Sequence, residues 1–183
     1  MLSYLDLMKI NYKIEDKDFL YFQLFTASKS ERIRKNKNRG WLLLTTGSAV
    51  IAIYFFLNLN IPMTVFFGLV SAICGLFYPK YFKWRYKRHY KTHITENYSK
   101  RFGQTEMLEI TDNYIFLKDK TGEGKVNLSE VEKVDETNNH FFLKISTGMS
   151  LIIPKGRIDN SDKLRTEFKR VGLTVNNEQN WKW

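Results

Sequence analysis

Few residues in this chain stand in patterns that do chemistry. His89 and His93 are spaced i, i+4, which would set two imidazoles on one helix face as zinc-binding helices do. No Glu lies between them, and the single cysteine, Cys74, sits inside an uncharged apolar block, so no metal and no cofactor is expected. His140 follows Asn138-Asn139 and reads as a turn residue beside Phe141. Thr121-Gly122-Glu123-Gly124 reads as a hairpin turn, because a phosphate loop needs a Lys-Ser/Thr pair and a helix after its glycines. Lys155 and Arg157, just past Pro154, could hold a phosphate or lipid headgroup, although solvated loop charges are the favoured reading. No Ser-His-Asp spacing or carboxylate pair is suggested. A protein that is not an enzyme, with no catalytic residue, is the expectation.

The most conspicuous pattern is cationic and aromatic. Between Lys80 and Lys100, Tyr81, Phe82, Trp84, Tyr86 and Tyr90 alternate with basic residues. Such interleaving can stack bases and hold phosphates. Its neighbour in the sequence argues for a different setting. Trp41 to Pro79 is a run of 39 residues without Asp, Glu, Lys, Arg or His, which meets the criterion for membrane spans. The negative mean hydropathy of the whole chain conceals that run. Beside it, amphipathic rings and cations belong in the headgroup layer. Membrane and anionic lipid headgroups are therefore the expected partners, and nucleic acid is not.

One helix through all 39 residues would measure about 58 Å against a hydrocarbon core of roughly 30 Å. Asn58-Leu59-Asn60-Ile61-Pro62 supplies a break, with Pro62 suited to the first turn of a new helix. Two spans result, 41–57 and 61–78, each about 26 Å long. Net charge is +10, yet residues 29–40 carry +5 and residues 80–101 carry +7, so the remainder nets −2. The candidate membrane-interface residues are Arg32, Arg34, Lys35, Lys37 and Arg39 before the hairpin, and Lys80, Lys83, Arg85, Lys87 and Arg88 after it. Both clusters flank the outer ends of an uncharged loop, so the positive-inside bias places both termini in the cytoplasm. Ser48 and Ala52, with Gly68, Ala72 and Gly75, are candidate helix-packing positions. Ser71 lies on the same small-residue face, and small residues are also simply common in membrane helices. The spans carry no ionisable acid or base, which argues against ion or proton transport. The start, Met1 to Leu7, lacks a basic stretch before an apolar one, so no cleavable signal peptide is expected.

Four segments follow. Residues 1–40 hold a strand at Lys9–Ile14, a helix capped by Asp16 or Asp18, and a basic stretch, with a continuous run into the first span left open. Residues 41–79 form the hairpin and 80–103 the basic aromatic segment. Residues 104–183 read as short antiparallel strands: Leu108 and Ile110; Tyr114–Lys118; Val126 and Leu128; Phe141, Leu143 and Ile145; Met149, Leu151 and Ile153. Ser129–Val134 is spaced like a helical turn, and Lys133–Thr137 extends again. A closing helix has Asn160 or Ser161 as cap, Leu164, Phe168 and Val171 on one face, and Gly172 as terminator. The fold class expected is membrane α+β: a transmembrane hairpin with a C-terminal, pleckstrin-homology-like cytoplasmic domain ending in a helix.

This layout resembles the YcxB-like family of bacterial membrane proteins. The closest local match is Glu130-Val131-Glu132-Lys133-Val134-Asp135-Glu136-Thr137, followed by Phe141-Phe142-Leu143 and Ile152-Ile153-Pro154-Lys155. Family members often carry a Trp shortly before the first of these segments, where this chain has Leu128. The resemblance implies the hairpin and the β-rich domain but no catalytic residue. The function expected is that of a bacterial inner-membrane protein presenting a cytoplasmic binding domain to a protein partner. One form is an immunity protein against a rival cell's toxin. The alternative is a membrane-anchored regulatory or scaffolding subunit whose β domain binds a protein or lipid. Self-association is left open.

Overall fold

A computed structural model describes residues 8–183. The segment read above for a signal peptide lies outside them. The elements are β1 (Met8–Lys13), α1 (Asp16–Lys29), α2 (Glu31–Leu57), α3 (Ile61–Tyr98), β2 (Thr105–Ile110), β3 (Tyr114–Lys118), β4 (Glu123–Asn127), β5 (Val131–Glu136), β6 (His140–Ile145), β7 (Ser150–Pro154), α4 (Ser161–Arg170) and β8 (Val175–Asn177). They make an α+β chain of two compact units. One joins the chain up to Phe22 with Ile94–Lys182, and the other is Gln23–His93.

The first unit has two four-stranded sheets, ordered β1-β2-β3-β4 and β7-β6-β5-β8. β1 alternates as its sequence demands, with Met8, Ile10 and Tyr12 buried and Lys9, Asn11 and Lys13 exposed. It pairs antiparallel with β2 along its full length, from Met8 opposite Ile110 to Lys13 opposite Thr105. The β-rich unit is thus not confined to 104–183, because its first strand precedes the apolar helices.

β6 departs from simple alternation. Phe141, Leu143 and Ile145 are buried as expected, but His140 and Phe142 are buried as well. The reason is that both faces are covered: Phe141 meets Phe168 of α4 at 5.7 Å, and Phe142 meets Phe22 of α1 at 5.4 Å. Asn160 caps α4 by accepting the Lys163 amide at 2.8 Å. Gly172 ends α4 in the left-handed region at φ +83°. One local expectation is corrected and one strand went unread. The helical turn is only Leu128–Glu130, and Val131 already belongs to β5. β8, unread in the sequence, pairs parallel with β5 after α4.

In the second unit, Ser30 separates α1 from α2 and caps α2, so the helix from Asp16 does not run on into the basic stretch. The break at Asn58–Asn60 falls as expected. Asn58 Nδ2 donates to the Tyr54 carbonyl at 2.8 Å, Leu59 takes φ 55°, and Asn60 Oδ1 accepts the Met63 amide. α2 and α3 are both long and apolar enough to cross a membrane. α3 continues through Pro79 to Tyr98, about 57 Å, so the basic aromatic segment extends the second apolar helix. Pro79 has no amide to offer the Gly75 carbonyl. The Trp41 indole Nε1 donates to that carbonyl instead, at 3.1 Å.

Phe141 is fully buried between β6 and α4. Phe141→Ala should lower the unfolding free energy of the β-rich unit by about 3–5 kcal/mol. Chemical denaturation of the full chain in detergent measures this, and a loss below about 1 kcal/mol would contradict the packing described.

Candidate functional site

The side chains able to do chemistry collect in two ionic knots in the β-rich unit and in the flanks of the hairpin. The first knot is built on Asp18, third residue of α1. Its Oδ2 accepts the Glu15 amide at 2.7 Å, which satisfies a free donor at the helix start. Its Oδ1 lies 2.9 Å from His140 Nε2. Arg157 bonds the same carboxylate, pairs with Glu15 at 2.7 Å and donates to the Lys13 carbonyl at 2.9 Å. Burial works to raise the Asp18 carboxyl, but hydrogen bonds from His140, the Glu15 amide and Arg157 outweigh it and hold it below its ordinary value. His140 stacks on Tyr21 at 5.2 Å and on Phe142 at 5.4 Å.

An Asp–His contact is half of a nucleophile-activating triad, and the other half would sit at Nδ1. That atom is buried with no hydrogen-bond partner among the described residues. The knot ties the start of α1 to β6 and to the turn after β7, and so fixes where these elements meet.

The second knot centres on Glu136 at the end of β5, which is 3% exposed. It accepts Lys155 Nζ at 2.5 Å, Arg165 Nε at 2.6 Å and Gln179 Nε2 at 3.1 Å, with a further bond from Arg165 Nη2. Lys155 also lies over the Phe141 ring at 4.7 Å. Burial pushes the Glu136 carboxyl up, but Arg165 and Lys155 overcome this and bring it from 4.5 to about 2. Lys155 and Arg157 are therefore neither solvated loop charges nor poised for a headgroup, and His140 is no mere turn residue. Each is committed to a carboxylate that sequence spacing cannot connect to it.

In the hairpin, Ser48 and Ala52 are buried. Ser71 Oγ donates to the Thr45 carbonyl at 2.9 Å, Trp41 reaches Gly75, and Phe55 stacks on Phe67 at 5.8 Å. Gly75 thus lies on the seam between α2 and α3. Gly68 and Ala72 are exposed, and their place is taken by Ser71. Of the interface cations, Arg32, Arg34, Lys35, Arg39, Lys80, Lys83, Arg85, Lys87 and Arg88 are exposed and Lys37 is half-buried. Glu31 pairs with Arg34 at 3.4 Å and Lys35 at 3.5 Å, and Arg88 lies over the Trp84 ring at 5.5 Å. His89 and His93 both lie on α3. Among the described residues no group of three or more His, Cys, Asp and Glu side chains could hold a metal ion.

The acid response follows from Glu136. In the fold it stays ionised down to about 2, whereas an unpaired glutamate takes up its proton near 4.5. The knot's stabilisation is complete above the higher value and is lost as pH falls through the lower one. Glu136→Gln should cost roughly 3 kcal/mol near neutral pH and flatten the acid loss seen in the parent chain. Denaturation curves from neutral pH down through that window decide it, and identical slopes for the two proteins would reject the assignment.

A family model described as YcxB-like protein matches residues 110–168. No curated protein and no solved structure matches the chain. The matched stretch runs from the last residue of β2 to Phe168 of α4 and holds Glu136, His140, Lys155, Arg157 and Arg165. It also contains Glu130–Thr137 and Ile152–Lys155, the segments on which the resemblance rests. Over residues 110–168 this chain is similar to the family described as YcxB-like protein.

Proposed function

We propose that this chain is a non-enzymatic membrane protein of the bacterial inner membrane, whose helical hairpin anchors a cytoplasmic binding unit. The observation that carries the reading is the surface of α2 and α3. Leu43, Val50, Ile53, Phe56, Val65, Phe66, Leu69, Ile73 and Leu76 are all exposed, on helices without a charge between Trp41 and Pro79. A soluble protein rarely leaves apolar surface so contiguous, and lipid is the solvent that suits it. The basic residues at both outer ends favour cytoplasmic termini. The β1–β2 ladder supports the same reading, because strands from before and after the hairpin can pair only on one side of a bilayer.

Within this reading the β-rich unit is pleckstrin-homology-like: two sheets of short strands and a helix near the C-terminus. Its buried ionic groups are spent on one another, which favours a scaffold that binds through its surface. An immunity protein against a rival cell's toxin is the specific form we propose, with a protein as partner. The topology is tested by reporter fusions. A periplasm-active phosphatase should gain activity only when fused near Asn58–Asn60, and a cytoplasm-active reporter should work at either terminus. Phosphatase activity at the C-terminus would overturn the anchoring.

A further inference from the structure

We propose that the groove along α3 just beyond its apolar stretch is a built site for one anionic phospholipid. This inference rests on the membrane reading above and makes the diffuse attraction of the flanks specific at one place. Two ridges of side chains, each spaced one helical turn, form the groove. Tyr78, Phe82 and Tyr86 make one wall, Tyr81, Arg85 and His89 make the other, and Leu44 of α2 contributes to the lining. The space measures about 560 Å³, within the range of roughly 300–1,000 Å³ for small-molecule sites. The aromatic wall is already ordered, with Tyr78 and Phe82 at 6.2 Å and Phe82 and Tyr86 stacked at 4.4 Å. A preformed wall spares a ligand the cost of ordering it.

Charge and depth select the occupant. The groove is apolar at Leu44, Tyr78 and Phe82, the end continuous with the membrane-spanning stretch, and cationic at Arg85. Among the described residues no carboxylate pairs with Arg85, in contrast to Lys155, Arg157 and Arg165. Arg85 lies six residues past Pro79, about 9 Å along the axis, and a headgroup layer is roughly 5–8 Å thick. Side chains on a helix tilt toward its N-terminus, which for α3 is the direction of the bilayer. The guanidinium therefore reaches back to phosphate depth. There its planar fork can hold two oxygens of a phosphodiester, with the Tyr81 hydroxyl and His89 ring as further donors. The lipid's first acyl carbons lie against Leu44, Tyr78 and Phe82.

A seated lipid and a diffuse cloud differ in which cation matters. Lys87 carries the same charge as Arg85 on the same helix but does not line the groove. The full chain would be released from membranes into mild detergent, mixed with phosphatidylglycerol or phosphatidylcholine, and weighed intact by native mass spectrometry. One phosphatidylglycerol should be retained in preference to phosphatidylcholine. Arg85→Gln should weaken retention by about tenfold, the scale of one lost charge-assisted hydrogen bond, and Lys87→Gln by less than about twofold. Tyr86→Ala, which removes part of the aromatic wall, should weaken it as well. Circular dichroism of each variant checks that the helices persist. Equal losses for Arg85→Gln and Lys87→Gln, equal retention of both lipids, or no retained lipid would overturn the site. Membrane insertion without a retained lipid overturns this inference while leaving the anchoring intact. Reporters that find no crossing overturn both.

Discussion

The ladder between β1 and β2 is the contact on which the rest of the chain depends. It joins residues 8–13 to residues 105–110 by main-chain bonds, and everything between them, including both apolar helices, is an insertion into one sheet. A strand pair cannot form across a bilayer, so under the proposed anchoring any segments inserted between its members that cross do so in even number. The constraint is independent of charge: within the proposed anchoring it puts both ends of the insertion on one side of the bilayer, and the basic flanks favour the same arrangement. It also bears on folding. Closing a sheet across so long a separation would order much flexible chain, but the insertion is almost wholly helical, α1, α2 and α3, so little flexible chain remains to be closed.

Charge is divided between two uses. In the β-rich unit Arg157, Arg165 and Lys155 are spent on Asp18 and Glu136, both nearly inaccessible to water. Buried ion pairs recover little net stability once desolvation is counted, but removing one partner is costly. Their effect is therefore to make wrong arrangements of α1, α4 and the turn after β7 expensive. The interface cations of the hairpin flanks are mostly exposed, with Glu31 as a carboxylate partner to two of them. The same residue types do structural work in one place and are left available in the other.

What could be read in the sequence was local. The uncharged run, the Asn58–Asn60 break, the alternation of β1 and the cap, face and terminator of α4 each lie within a few residues of their cause. The ionic knots were not legible. Lys155 and Arg157 follow a proline in a turn and look the same whether solvated or buried, and their carboxylates lie 19 and 139 residues away. His140 was misread for a similar reason: its burial is decided by Asp18 and Tyr21 on α1, which no turn signal at Asn138-Asn139 reveals. The small-residue face was read more broadly than the contact: Ser71 and Gly75 meet α2, whereas Gly68 and Ala72 are exposed. Gly68, Ala72 and Gly75 share helical spacing, as do Ser71, Gly75 and Tyr78. Only the contacts with Trp41 and Thr45 choose the second set.

That choice of ridge also shapes the groove. Pro79 leaves the Gly75 carbonyl without its helical partner, and a bare carbonyl in hydrocarbon is expensive. Trp41 supplies the donor, so the proline that would weaken α3 becomes the point where α3 is pinned to α2. One turn further on, Gly40 lies directly against the Tyr78 hydroxyl, where a side chain on residue 40 would have to push the ring aside. Tyr78 is the first member of the aromatic ridge that continues through Phe82 to Tyr86. The register between the two apolar helices therefore sets the position of the wall on which the proposed lipid site depends, and the carbonyl freed by Pro79 is one of the contacts that hold it, with the Ser71–Thr45 bond and the Phe55–Phe67 stack.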